Sequence, residues 1–190
     1  MEAESRCLRP CLCYIQATDI TFVNNSAAVA GGAVFISGAD IGPVFNGTHL
    51  VSNSAQVGGA VYATGSGTTE TAGDGGEPEE NPTTFYGCTF EGNSADATGG
   101  AVDSASGQDK FVNTSFVRNS AGVGGALRLA GTASVENCSF LENFSGDGGG
   151  PVVSNIGVVS KITGSSFRDN VSTATLGNFS PSTRFVRANQ

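Results

Sequence analysis

Phe116-Val117-Arg118-Asn119, then four residues, then Gly124-Gly125-Ala126-Leu127: this stretch decides the fold, because both tetrapeptides recur along the chain. The first returns as Phe22-Val23-Asn24-Asn25, Leu50-Val51-Ser52-Asn53, Phe90-Glu91-Gly92-Asn93, Phe140-Leu141-Glu142-Asn143 and Phe167-Arg168-Asp169-Asn170. The second returns as Gly31-Gly32-Ala33-Val34, Gly58-Gly59-Ala60-Val61, Gly99-Gly100-Ala101-Val102 and Gly149-Gly150-Pro151-Val152. Successive Phe/Leu positions lie 28, 40, 26, 24 and 27 residues apart, and this self-similarity marks a repeat architecture.

Further columns line up around these blocks. Three residues before each Phe or Leu stand Asp19, Gly47, Gly87, Asn113, Asn137 and Gly164, types that tolerate a left-handed turn. Two before stand Ile20, Thr48, Cys88, Thr114, Cys138 and Ser165, and five before stand the apolar Ala17, Phe45, Phe85, Phe111, Val135 and Ile162. Two after the Asn come Ala27, Ala55, Ala95, Ala121, Ser145 and Ser172.

Short β segments therefore alternate with turn residues, and no amphipathic helix is visible. A unit of 24–28 residues is too short for a propeller blade and lacks leucine-rich-repeat spacing. It fits one coil of a solenoid with about three short strands, successive coils stacking ~4.8 Å apart. Because parallel crossovers are almost always right-handed, the expected fold is all-β: a right-handed parallel β-helix of about six coils. Phe22, Leu50, Phe90, Phe116, Phe140 and Phe167 then form one buried column, and the six Asn residues a hydrogen-bonded ladder. After each Gly-Gly the alternation points Val34, Ile36, Val61, Ala63, Leu127 and Leu129 inward. Phe35, Tyr62, Asp103 and Arg128 point outward, with Asp103–Arg128 and Arg118–Glu142 as surface pairs between coils. Residues 1–14 are an N-terminal Cys-containing segment before the β-helix of 15–178, which carries an acidic loop insert at about 65–84. Residues 179–190 form a tail.

The composition agrees with tightly turned β structure: 28 Gly, no Trp and only 14% charged residues. The net charge of −8 is uneven. Residues 10–109 hold eleven acids and no Lys or Arg, whereas 110–190 hold seven Lys/Arg against four acids. No basic stripe with interleaved aromatics suggests nucleic acid as a partner, and no apolar stretch is long enough for a membrane helix.

The alternation of Phe-x-x-Asn with Gly-Gly-Ala-(Val/Leu) resembles the chlamydial polymorphic outer membrane protein repeat. The resemblance covers residues 20 to about 172 and departs at Leu50, at Pro151 and in the sixth unit, which lacks the glycine block. It implies a secreted or outer-membrane protein, exposed at the cell surface and implicated in adhesion, of which this chain is an excerpt. The expected function is a non-catalytic structural or adhesive module with an unidentified protein or glycan partner and end-to-end self-association. The competing reading is a carbohydrate-active β-helix enzyme, a polysaccharide lyase or hydrolase.

No catalytic, cofactor or metal residues stand out. Asp103, with Arg128 one coil away, is the best carboxylate for the enzyme reading, which needs clustered acids in a groove. His49, beside the inward Leu50, should be a lone surface histidine. The insert acids Glu70, Asp74, Glu77, Glu79 and Glu80 lack the spacing of a Ca²⁺ loop, and Cys7, Cys11 and Cys13 lack a fourth zinc ligand. Cys88 and Cys138 share a column with a coil between them, about 9–10 Å apart, too far for a disulfide. Seven Asn-x-Ser/Thr sequons, at Asn24, Asn46, Asn113, Asn137, Asn143, Asn170 and Asn178, are read as a by-product of the repeat.

Overall fold

The Phe and Asn columns close a solenoid in which every strand pair is parallel. The computed structural model describes residues 16–37, 42–64, 82–105, 108–148, 150–155 and 161–173. Five coils and three strands of a sixth stack into four parallel sheets. The first sheet holds Gln16–Thr18, Val44–Asn46, Thr83–Tyr86, Gln108–Val112, Thr132–Glu136 and Lys161–Thr163. The second holds Thr21–Val23, His49–Val51, Thr89–Glu91, Ser115–Val117, Ser139–Leu141 and Ser166–Arg168. The third runs Ser54–Val57, Ser94–Thr98, Ser120–Val123, Phe144–Gly148 and Val171–Ser172, with coil one joining through bridges at Ser26 and Ala30. The fourth holds Val34–Ser37, Val61–Thr64, Val102–Ser104, Leu127–Leu129 and Val153–Asn155. A coil thus has four strands rather than three, and the described residues hold five coils and three strands of a sixth. Thr83 and Thr84 already lie in a strand, so the insert ends before them; residues 65–81 lie outside the described residues, as do 1–15 and 174–190.

The extra strand arises at a corner. Asp19, Gly47, Gly87, Asn113, Asn137 and Gly164 all have φ between 51° and 60°, and this left-handed residue splits the apolar run ahead of Phe into two strands. A second corner precedes every ladder Asn, at Asn24, Ser52, Gly92, Arg118, Glu142 and Asp169, with φ from 52° to 61°. The third is the first glycine of the first four Gly-Gly pairs, φ 63°, 62°, 65° and 69° at Gly31, Gly58, Gly99 and Gly124. The second glycine has a separate reason. A Cβ on Gly100 would sit 2.0 Å from the Gly125 carbonyl of the next coil, so only glycine lets the coils meet there.

Equivalent residues stack in register. Phe22, Leu50, Phe90, Phe116, Phe140 and Phe167 pair successively, and the Phe116 and Phe140 rings lie parallel at 4.8 Å. Phe45, Phe85 and Phe111 form a second stack at 4.9 and 5.1 Å, crossing the first edge-to-face at Phe85–Phe90. Offset-stacked and edge-to-face contacts are the favoured arrangements of aromatic rings. The column is buried through its middle, but Phe22 is only half-buried and Phe167 is 38% exposed.

The Asn residues form the expected ladder. Asn25, Asn53, Asn93, Asn119 and Asn143 each donate both backbone N–H and Nδ2 to the Oδ1 of the next Asn, at 2.9–3.0 Å. From Asn53 onward the other Nδ2 hydrogen returns to the Phe or Leu carbonyl of the preceding coil. Each interior side chain is thereby fully satisfied, which burial at 0% exposure demands.

Candidate functional site

The Gly-Gly strand carries the outward residues singled out in the sequence. Val61, Ala63, Leu127 and Leu129 are buried on its inner face, while Phe35, Tyr62, Asp103 and Arg128 line up in register outside. Phe35 and Tyr62 stack at 5.4 Å, and Phe35 is 58% exposed. Asp103 departs from expectation. It points outward but is 0% exposed, because the Gly99 corner folds over it: a Cβ on Gly99 would lie 2.7 Å from that of Asp103. Arg128 Nη1 donates to Asp103 Oδ1 at 2.9 Å, and the Thr98 hydroxyl donates to Oδ2. This is an enclosed ion pair rather than a surface one. Removing Arg128, itself 22% exposed, leaves the buried Asp103 carboxylate without its partner, at a cost of about 3–5 kcal/mol.

The other expected pair is a true surface contact. Arg118 reaches Glu142 at 3.8 Å and also contacts Glu91 in the coil above, all three well exposed. His49 is exposed, as expected.

A residue that the sequence reading passed over is Asp109. In Gln108–Val112 it shares the inner face with Phe111, paired with Thr83 and Ala133, and is 3% exposed. Neither carboxylate oxygen accepts a hydrogen bond, and the nearby buried Ser104 hydroxyl also lacks a partner. Burial pushes the Asp109 carboxyl up to about 7. The signal was present: Asp109 stands two residues before the inward Phe111, where alternation requires an inward side chain. Beside it, on the first sheet, lies an open cleft of about 310 Å³ lined by Pro82, Gln108, Lys110, Thr132, Ser134 and Lys161, with Asp109 and Ala133 behind.

Cys88 and Cys138 are free, buried thiols, as expected. Each occupies the column of Thr48 and Thr114 and donates as they do, Sγ to a carbonyl of the coil above at 3.5 Å. Burial raises the Cys88 thiol to about 11 and the Cys138 thiol in the same direction, which keeps both protonated and unreactive. Cys7, Cys11 and Cys13 lie outside the described residues. Among the described residues no three His, Cys, Asp or Glu side chains are grouped to hold a metal ion, and no helix is long and apolar enough to cross a membrane.

The corner–strand–corner pattern of coils one and three is what a family model recognises. Residues 19–37 and 87–105 match the Chlamydia polymorphic membrane protein (Chlamydia_PMP) repeat. Two coils are thus similar to the polymorphic membrane protein repeat, over 38 of the 190 residues. Each match runs from the first left-handed corner, at Asp19 or Gly87, through Phe-x-x-Asn and Gly-Gly-Ala to the end of the fourth strand. The repeat thus corresponds to three sides of a coil, and the other coils repeat its structural positions without a separate match. No curated protein and no solved structure matches the chain.

Proposed function

We propose that this chain is a non-catalytic structural and adhesive module, displayed at a cell surface as part of a secreted or outer-membrane protein built from such repeats. The observation that carries the reading is the state of Asp103. The one acid on the fourth sheet's outer face is closed off from solvent, with both oxygens held by Arg128 and Thr98. A general acid or base must reach the proton it moves. The Phe35–Tyr62 stack on the same face, Phe35 exposed and Tyr62 half-buried, supports adhesion, since such rings give rigid contact area at little entropic cost.

The competing lyase or hydrolase reading draws on Asp109, a carboxyl raised to about 7 behind a cleft flanked by Lys110 and Lys161. One experiment separates the two. Beads coated with the purified chain are offered to cultured cells, and the soluble chain is incubated with neutral and acidic polysaccharides. The adhesive reading expects bead binding that falls when Phe35 and Tyr62 become Ser, with no depolymerisation. Polysaccharide cleavage abolished by Asp109→Asn would establish the enzyme instead.

A further inference from the structure

The two ends of the coil stack are not alike, and they are complementary. Every ladder bond runs one way, from the amide of one Asn to the Oδ1 of the next. At the first coil, Asn25 donates to Asn53, and its own Oδ1 accepts nothing among the described residues. At the last, Asn170 Oδ1 accepts both bonds from Asn143 and one Nδ2 hydrogen returns to the Phe140 carbonyl. Among the described residues, its backbone N–H and second Nδ2 hydrogen find no acceptor. One end therefore offers an acceptor and the other two donors.

Apolar exposure is also confined to the ends. Ile20, Val23, Val29 and Phe35 are exposed on coil one, and Phe144, Phe167 and Val171 on the last two coils. Between them, Tyr86 is the one large apolar side chain that is exposed among the described residues. The end residues match by column. Continuing the register sets Ile162 against Ala17, Phe167 against Phe22, and Ser172 against Ala27. Inside the stack the same columns pair Ala17 with Phe45, Phe140 with Phe167, and Ala121 with Ser145. Charge points the same way: the first hundred residues from Pro10 carry only acids, and the remainder after Asp109 has an excess of three cations.

From these observations we infer that the chain docks head to tail on a second copy of itself. Asn170 of one copy donates its N–H and Nδ2 to Asn25 Oδ1 of the next, and the Phe column continues across the joint through Phe167 and Phe22. Three of the four sheets extend by β-strand addition. Such a heterologous contact does not close on itself, so it builds rods rather than dimers.

The test is sedimentation of the full chain over a wide concentration range, with two variants that each spoil one end. Ile20→Lys places a charge on the first coil and Phe167→Lys on the last. Both positions are already partly exposed, and unchanged circular dichroism shows that the stack survives. The native chain should rise in mass with concentration. Each variant alone should sediment as one chain, and their equimolar mixture should form a species of two chains and no larger. Tyr86→Ser, on the side of the stack, should associate as the native chain does. Asn25→Leu, which removes the acceptor without adding charge, should weaken association at least tenfold. A native chain that stays monomeric throughout overturns the proposal. So do variants that dimerise alone, the mark of like ends pairing, and loss of association on Tyr86→Ser, the mark of a lateral contact.

Discussion

Phe116 and Phe167 occupy the same column, make the same parallel ring stack and differ only in place. Phe116 lies in coil four with a ring on either side and is fully buried; among the described residues Phe167 has a ring only on the Phe140 side, and it is 38% exposed. Asn119 and Asn25 differ likewise: one is satisfied on both sides and buried, the other has no donor on one side among the described residues and is exposed. A solenoid residue gains its stability from both neighbouring coils, so identical sequence blocks are worth different amounts in the middle and at the ends.

Substitution should expose that difference most at Phe. Phe116→Ala opens a cavity between two rings and should cost about 3–5 kcal/mol. Phe167→Ala, with one open face, should cost about 1–2 kcal/mol. Urea melts of the two variants measure the gap, and equal losses would break the comparison.

Asp109 sharpens it from the other side, because the middle of the stack contains its own weak point. The folded-state value of about 7 lies above the ordinary 3.8, so the folded protein holds the proton more tightly than the unfolded chain. Stability from this group is complete below about pH 4, declines as pH rises to about 7, and is flat above. At about 1.4 kcal/mol per pKa unit the swing is at most about 4.5 kcal/mol. Melts between pH 4 and 8 should show this decline, and Asp109→Asn should flatten it.

The ladder comes next. Asn119→Ala leaves the Asn93 amide and Nδ2 without their acceptor in a buried site, and should cost about 2–3 kcal/mol. Asn25→Ala orphans no donor of a preceding coil and should cost less than half of that in the same melts. The smallest effect belongs to Arg118, whose contacts with Glu91 and Glu142 are exposed: Arg118→Ala should change stability by less than about 0.5 kcal/mol.

What could be read from the sequence follows the same physics. Columns were legible where the structure forces residue identity: Phe where rings stack, Asn where an amide must both donate and accept, and glycine where a Cβ would strike the next coil. The corner ahead of each ladder Asn was not legible, because Ser52, Arg118, Glu142 and Asp169 all accept the left-handed backbone and leave no common letter. That corner and the one at Asp19, Gly47 and their equivalents give the coil four strands where three were expected. Alternation told the side on which Asp103 lies but not its depth, which depends on how the Gly99 corner folds across it. Asp109 was masked by its neighbours: Gln108 and Lys110 make the stretch look like a solvated edge, although the parity with Phe111 places it inside.

Amide hydrogen exchange, read residue by residue at a concentration where the chain is monomeric, tests the stacking most directly. The backbone N–H groups of Asn53, Asn93, Asn119 and Asn143 each donate to the Asn of the next coil and should be the slowest to exchange. The Asn170 N–H, which donates to no ladder Asn among the described residues, should exchange fast. Rapid exchange at Asn93 and Asn119, or an Asn170 amide as protected as theirs, would contradict the ladder and the difference between middle and end that rests on it.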